Sequence, residues 1–379
     1  MQYQQNRMRL GLANVAGLYT GGRGITANIS RAVVLIKAAW DFGYRRFDSA
    51  PLYGWGYSES LFGEAFKQLV EDALIVGADE LDISTKALRT IIPRLGQGQT
   101  KQPNFWGPLP EPFASSQEFW TFSETGVLSA FSSSLERLGL AKVSHLKLHD
   151  TGDAMAEVPG MKIEEFDPAI NACKRLLNDS NPRITNIGLA NKDNATGLAL
   201  LARHPGTFTV VGTTTYNLLD QSAHTSGLID ACHKAGAMYQ VNGPYSSRVL
   251  AMDVRKARRV NSAVHGRLGY FWDASGTDPV SINYGAVETD TNGHWQNLDA
   301  FNKAVLLWNT AADLGYDSPR PLALQFCLAN PKVGEVVVGA GDPKRFQEMR
   351  DAIALSIPRT HWRRLVDEGI IDSSCPLPS

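Results

Sequence analysis

The chain is short of the features that mark several specialised classes of protein. Its four cysteines, Cys173, Cys232, Cys327 and Cys375, lie far apart and form no Cys-x-x-Cys pair. That spacing argues against a disulfide framework and against zinc, so no metal is expected. Lysine plus arginine (37) almost balances aspartate plus glutamate (38), for a net charge of -1. Without a basic surplus there is no electrostatic footprint for nucleic acid or for an anionic membrane surface. No apolar run is long enough to span a bilayer, and Met1 to Asn6 are polar, with no apolar signal region. The expectation is a cytoplasmic protein whose partner is a small molecule; the oligomeric state stays open.

What is there is an ordinary globular composition, 43% hydrophobic and 20% charged over 379 residues. No linker divides it, so one domain over 1–379 is expected. The stretch Arg45-Arg46-Phe47-Asp48-Ser49-Ala50-Pro51-Leu52-Tyr53-Gly54 organises the rest. Arg46-Phe47-Asp48 reads as the end of a buried strand. Pro51 and Gly54 force a turn, since proline fixes φ and glycine tolerates φ > 0. Asp48 therefore closes a strand and Tyr53 lies in the loop beyond it.

The same strand-then-helix unit recurs along the chain. Strands are expected at residues 9–13, 46–48, 81–86, 143–149, 184–189, 208–212, 237–241 and 333–338. Helices are expected after each, among them 59–69, opening beside Glu59, and one opened by Ser123 and Glu124 and stopped by Gly139. Eight alternating units argue a closed parallel (β/α)8 TIM barrel with long rim loops. Gly22-Arg23-Gly24 hints at a phosphate loop, but no strong strand feeds it, which argues against a βαβ dinucleotide unit there. Two segments break the pattern. Ile91 to Phe122 holds prolines at 93, 103, 108, 110 and 112 among many aromatics, and reads as a long structureless loop on the rim. Arg248 to Trp295, with Arg255, Lys256, Arg258 and Arg259, reads as a solvated basic face.

Asp48, Tyr53, Lys86 and His149 all fall at the C-terminal ends of neighbouring strands, or in the loops just after them. In such a barrel that rim is where active sites are built. A lysine ammonium beside a phenol lowers the phenol's pKa, an aspartate orients the lysine, and a histidine donates to a substrate oxygen. The set suits proton transfer to or from an alcohol or carbonyl oxygen. It holds no nucleophile and no metal cluster, so a bound cofactor must carry the electrons. Tyr216 can stack on a flat ring and Asn191 can bond an amide. The turns 242–247 and 339–341 can cradle phosphates with backbone N–H groups. A barrel lyase with a Schiff base on Lys86, and a cofactor-sensing subunit without turnover, remain as alternatives.

The runs FDSAPLYGWGYSE (47–59), STKA (84–87), LERLGL through LKLHD (135–150), YNLLDQ (216–221), VVVGAGDPKRFQE (336–348) and IPRTHWRRLVDEGIID (357–372) together resemble the aldo-keto reductase family. Within it they resemble the aldose 1-dehydrogenase branch. The resemblance runs over nearly the whole chain. It implies a barrel holding an extended nicotinamide dinucleotide, NAD or NADP, and a catalytic tetrad of Asp48, Tyr53, Lys86 and His149. Asn191 would bind the carboxamide and Tyr216 would lie near the nicotinamide. Gly243, Pro244, Tyr245, Ser247 and Leu250, with Gly339, Ala340, Gly341 and Arg345, would hold the phosphates and adenosine. Tyr19, Trp55, Trp106 and Trp120 would stack on the sugar. The implied reaction is oxidation of an aldose at C1 to a lactone, with L-fucose or D-arabinose as the type of sugar. Its alternative is reduction or oxidation of an aldehyde or ketone, pyridoxal included. Three departures bear on the cofactor. Arg248 stands where the family usually has glycine, and Met349 where many members have asparagine. Gly339 replaces the lysine of some NADP-preferring relatives, so NAD is the slightly favoured expectation, although Arg345 matches an arginine that meets a 2′-phosphate.

Overall fold

A computed structural model describes residues 7–16, 27–93, 113, 116–246, 249–251, 253, 255, 258–259, 269–272, 279–282 and 298–378. Thirteen strands are numbered in chain order: β1 Met8–Gly11, β2 Arg46–Asp48, β3 Asp82–Ala87, β4 Arg89–Pro93, β5 Ser116–Trp120, β6 Val143–His149, β7 Ile184–Asn191, β8 Val210–Thr213, β9 Met238–Asn242, β10 Arg258–Arg259, β11 Gly269–Trp272, β12 Pro279–Ile282 and β13 Val333–Gly339. Eight of them close into a barrel in the order β1-β13-β9-β8-β7-β6-β3-β2. All its pairings are parallel. These are the eight strands read from the sequence, and the fold is the expected (β/α)8 barrel.

Alternation of side chains across each strand sorts the residues into two cores. Phe47, Ile83, Leu146, Leu148, Ile187 and Val211 face the helices and are buried. The helix Tyr57–Glu71 answers with Leu61, Phe62, Ala65, Phe66 and Leu69, and Phe47 lies 5.2 Å from Phe62, ring to ring. The helix Glu124–Leu138 begins where Ser123 accepts from the Gly126 N–H and ends where Gly139 turns left-handed at φ 64°.

The barrel interior is polar, unlike the layers of branched apolar residues that usually fill such barrels. Arg9, Asp48, Lys86, Lys147, Gln240 and Glu335 are all buried. Near the N-terminal ends of the strands Arg9 binds Glu335 (2.8 Å) and Asp82 (3.0 Å), and Arg46 adds a second contact to Glu335 at 3.3 Å. Sequence alternation did not identify Arg9 as buried, because a single arginine in a short strand reads the same on either face.

Two segments differ from the sequence reading. The ends of the expected loop 91–122 are an antiparallel hairpin, β4 with β5, pairing Arg89 with Trp120 and Pro93 with Ser116. Pro93 closes its strand, a position where the missing N–H costs no ladder bond. The expected basic face after Arg248 includes a three-stranded antiparallel sheet, β10-β11-β12, and Arg255 pairs with Asp253 at 2.7 Å. Lys256 lies outside the described residues. Among the described residues no helix is long and apolar enough to cross a membrane.

Candidate active site at the barrel mouth

The C-terminal ends of β2, β3 and β6 bring Asp48, Lys86 and His149 together, and the turn after β2 swings Tyr53 over them. The Lys86 ammonium donates to Asp48 Oδ2 (2.6 Å), to the Ser49 carbonyl (2.6 Å) and to the Tyr53 hydroxyl (3.0 Å). An ammonium has three donors, so all are committed, and the phenol oxygen accepts one of them. The same ammonium lies 4.5 Å above the Tyr53 ring. His149 meets that ring edge-on at 6.0 Å, and its Nδ1 is buried with no hydrogen-bond partner.

Charge states follow from burial and neighbours. Burial works against the Asp48 carboxylate, but Lys147 and Lys86 outweigh it and hold Asp48 well below the usual carboxylate range. Burial likewise opposes the Lys86 ammonium, yet Asp48 and Tyr53 hold it above its ordinary value. The Tyr53 phenol behaves otherwise than the sequence led us to expect. Burial raises it above 10.0, Asp48 adds to the rise, and Lys86 only opposes them. His149 is driven by burial down to about 3 and is therefore neutral at pH 7.

The loops around this centre are held in unusual backbone. Among the described residues the non-glycine positive φ values are at Trp55 (49°), Ala73, Leu88 (78°), Asp150 (52°) and Ser246 (47°). All but Ala73 lie just beyond barrel strands at the mouth, where such strain tends to gather. Gly54, Trp55 and Gly56 are left-handed in succession, which sets Trp55 into a small cluster with Tyr53, Ile91 and Phe113. Asp150 accepts from Arg89 (3.0 Å) and Lys192 (3.2 Å), and Asp153 shares both cations. The hairpin is thereby tied to the loops after β6 and β7. Trp120, on that hairpin, stacks on Phe122 at 6.0 Å and lies under the Arg89 guanidinium at 5.3 Å.

The other expected site residues are placed as follows. Asn191 is buried, and its Oδ1 accepts from the N–H groups of Gly152 (2.9 Å) and Lys192 (2.8 Å). Its Nδ2 donates to the Asp193 carbonyl at 2.6 Å. Tyr216 needs correction as a ring for stacking on a cofactor. It is fully buried, its face lies 5.0 Å from Phe326, and Asn330 donates to its hydroxyl at 3.3 Å. Gly243 is exposed and left-handed at φ 74°. Pro244 and Leu250 are buried, and the turn closes through Ser246 N to Gly243 O (2.9 Å) and Leu250 N to Tyr245 O (3.1 Å). Gly339 ends β13 and is exposed, Ala340 is buried, and the Gly341 carbonyl accepts from Arg31 at 2.7 Å. Arg345 opens the helix Lys344–Ala354 and pairs with Glu348. Tyr19, Trp106, Ser247 and Arg248 lie outside the described residues.

Several residues at the centre went unread in the sequence. Ser84 donates to Asp48 Oδ1 at 2.6 Å, and Lys147 donates to the same oxygen at 2.7 Å. The signal for Lys147 was the alternation that put it on the face of His149; what one sequence lacks is the register that carries it to Asp48. Among the described residues no group of histidine, cysteine, aspartate or glutamate is arranged to hold a metal ion.

The features of the mouth fit a nicotinamide dinucleotide. Asn242 Oδ1 and His149 Nδ1 are buried polar atoms without partners. The turn at Gly243 is open, with nothing within 4 Å of where a Cβ would stand, and an eleven-residue helix starts beside the turn 339–341. Known proteins agree with this geometry. The model of the aldo/keto reductase family matches residues 8–367. D-threo-aldose 1-dehydrogenase from Pseudomonas sp. is 27% identical over 365 residues, 95% of this chain and 93% of that protein. Pyridoxal 4-dehydrogenase from Microbacterium luteolum is 25% identical over 386 residues, covering 96% and 93%. Among solved structures, an aldo-keto reductase from Bacillus halodurans in its holo form superposes with a TM-score of 0.59 at 19% identity, covering 95% of this chain and 91% of that one.

Proposed function

Because this chain belongs to the aldo/keto reductase family of oxidoreductases, we propose that it oxidises an aldose of the L-fucose or D-arabinose type at C1 to a lactone, with a nicotinamide dinucleotide as partner. The observation that carries the reading is the Lys86 ammonium 3.0 Å from the Tyr53 hydroxyl, with neutral His149 edge-on to the same ring. When bound, the dinucleotide supplies the hydride acceptor or donor. As the phenolate, which the Lys86 ammonium stabilises, Tyr53 takes the proton of the anomeric hydroxyl and becomes the neutral phenol, while Asp48 fixes Lys86. His149, uncharged, donates to the substrate oxygen and orients it. Trp120, half-buried on the hairpin, would offer flat apolar surface to a sugar ring, with Trp55 packed against Tyr53 in its own apolar cluster.

For the cofactor, Asn191 would bind the carboxamide through the Nδ2 hydrogen not used by Asp193. Gly243, Pro244, Tyr245, Leu250, Gly339, Ala340 and Gly341 would line the phosphates and adenosine. Arg345 is already paired with Glu348, and Gly339 offers no cation, which supports NAD over NADP. A second reading has its own observation. Burial holds the Tyr53 phenol protonated, the state required of an acid that gives its proton to a carbonyl oxygen. Reduction of an aldehyde or ketone, pyridoxal included, uses the same residues in reverse.

Initial rates with L-fucose, D-arabinose and pyridoxal, each with NAD and NADP in both directions, test the proposal. Turnover of a sugar with NAD is the expected result. Absence of turnover on every substrate, together with borohydride trapping of substrate on Lys86, would replace it with a lyase. Tight cofactor binding without turnover would point to a sensing subunit.

A further inference from the structure

We propose that Lys147, a second buried lysine on the catalytic aspartate, is a positioning residue that tunes Tyr53 through Asp48. The inference rests on the reading of Tyr53 as the acid-base group. Lys147 comes from β6, two residues before His149, and points into the barrel. Its ammonium donates to Asp48 Oδ1 at 2.7 Å and to Gln240 Oε1 at 2.8 Å, while Lys86 takes the other oxygen, Oδ2, at 2.6 Å. One carboxylate thus serves two ammonium groups, and the three together carry one surplus positive charge below the phenol.

The site is built to receive this side chain. A Cβ on Gly188 of β7 would fall 3.0 Å from Lys147 Cγ, and one on Gly212 of β8 would fall 2.9 Å from Gln240 Oε1. Two adjacent strands therefore leave out side chains where the long polar chains cross. Gln240 is in turn held by Glu335, and Glu335 by Arg9 at 2.8 Å. A continuous chain of hydrogen bonds, buried between its two ends, runs from Asp82 through Arg9, Glu335, Gln240, Lys147, Asp48 and Lys86 to Tyr53.

The electrostatic consequence has a definite sign. The groups facing Tyr53 are Lys86, Asp48, His149 and Asp150; those facing Lys147 are Asp48, Lys86, Arg9, Glu335 and His145. Burial raises the phenol above its ordinary value, Lys86 opposes that rise, and Asp48 adds to it. Lys147 screens Asp48, so Lys86 is left with more of its charge for Tyr53. Burial pulls Lys147 itself down to about 8, against the attraction of Asp48. As the pH rises past that value the ammonium is lost, so the screening acts on Tyr53 only at lower pH. Removing the charge leaves Asp48 Oδ1 with Ser84 alone and raises the pKa of Tyr53.

The test compares kcat for oxidation in wild type and Lys147→Gln from about pH 6 to 10. Any substrate turned over, sugar or carbonyl, serves, so the outcome is separate from whether the sugar reading holds. The expected result is a kcat about tenfold lower in Lys147→Gln at about pH 6–7, where Lys147 carries its charge, as a one-unit rise in the pKa of Tyr53 would give. The two rates should converge above about pH 9, where Lys147 is uncharged, and Lys147→Arg should return toward wild type at pH 7. Should Lys147→Gln not fold, Lys147→Met carries the same comparison. A kcat lowered by the same factor at every pH would reduce Lys147 to a structural residue and overturn the proposal.

Discussion

At the base of the barrel Arg9, Arg46, Asp82 and Glu335 meet with their charges matched, whereas at the mouth His149 Nδ1, Asn242 Oδ1 and Thr151 Oγ1 are buried without partners. Backbone differs in the same sense. Trp55, Leu88, Asp150 and Ser246 are strained into positive φ beyond the strands' C-terminal ends, while β1 and β13 run in regular register past Arg9. One polar interior therefore serves two purposes. Below, opposite charges close on one another and lock strands β1, β3 and β13. Above, polar groups are left unspent and the chain is bent to aim them, as binding of a substrate and a dinucleotide would require.

That contrast can be broken at several points. The largest effect is expected from Lys86→Met, which removes the ammonium that bridges Asp48 and the phenol. Turnover should fall by about 10²–10⁴-fold, the usual share of acid-base catalysis, and thermal unfolding should move less than for a change at the base. Arg9→Met makes the opposite cut. It leaves buried Glu335 and half-buried Asp82 with only the more distant Arg46 as cation, and should cost about 3 kcal/mol in urea unfolding, with kcat of the folded protein moved far less. Equal losses of kcat and stability in both variants would erase the distinction between the two ends.

A pH experiment sharpens the same point. In the folded chain His149 sits at about 3, below its ordinary 6.5, so between those values the unfolded chain binds a proton that the folded chain refuses. Stability is then drained as pH falls from 6.5 toward 3. His149→Gln removes that component and should lose less stability than wild type between pH 7 and 4, measured by urea titration at each pH. The smallest effect is expected from Trp120→Ala: roughly 0.5–1.5 kcal/mol of binding, seen as a few-fold rise in KM for the sugar with kcat kept.

Much of this was legible in the sequence, for identifiable reasons. Strict alternation in Val143–His149 and the Pro51 and Gly54 turn placed the strand ends, and with them Asp48, Tyr53, Lys86 and His149. Caps such as Ser123 and Gly139 fixed helix ends through local hydrogen bonds alone. What failed depends on long-range register. The hairpin β4-β5 was hidden because Pro93 and the prolines beyond it mask its periodicity. Tyr216 looked like a rim aromatic until Phe326, over a hundred residues later in the chain, was seen to cover its ring. Lys147 lay on the inner face of its strand, but only the pairing of β3 with β6 and the absent side chain of Gly188 deliver it to Asp48. The pKa of Tyr53 was misjudged for a related reason: a motif names its neighbours but not the depth of burial.

The most direct test of the account compares wild type with Tyr53→Phe in two assays, steady-state turnover of an aldose with NAD and quenching of protein fluorescence by the cofactor alone. The account predicts that the variant binds the cofactor as wild type does and has lost turnover. Turnover equal to wild type in Tyr53→Phe would contradict it.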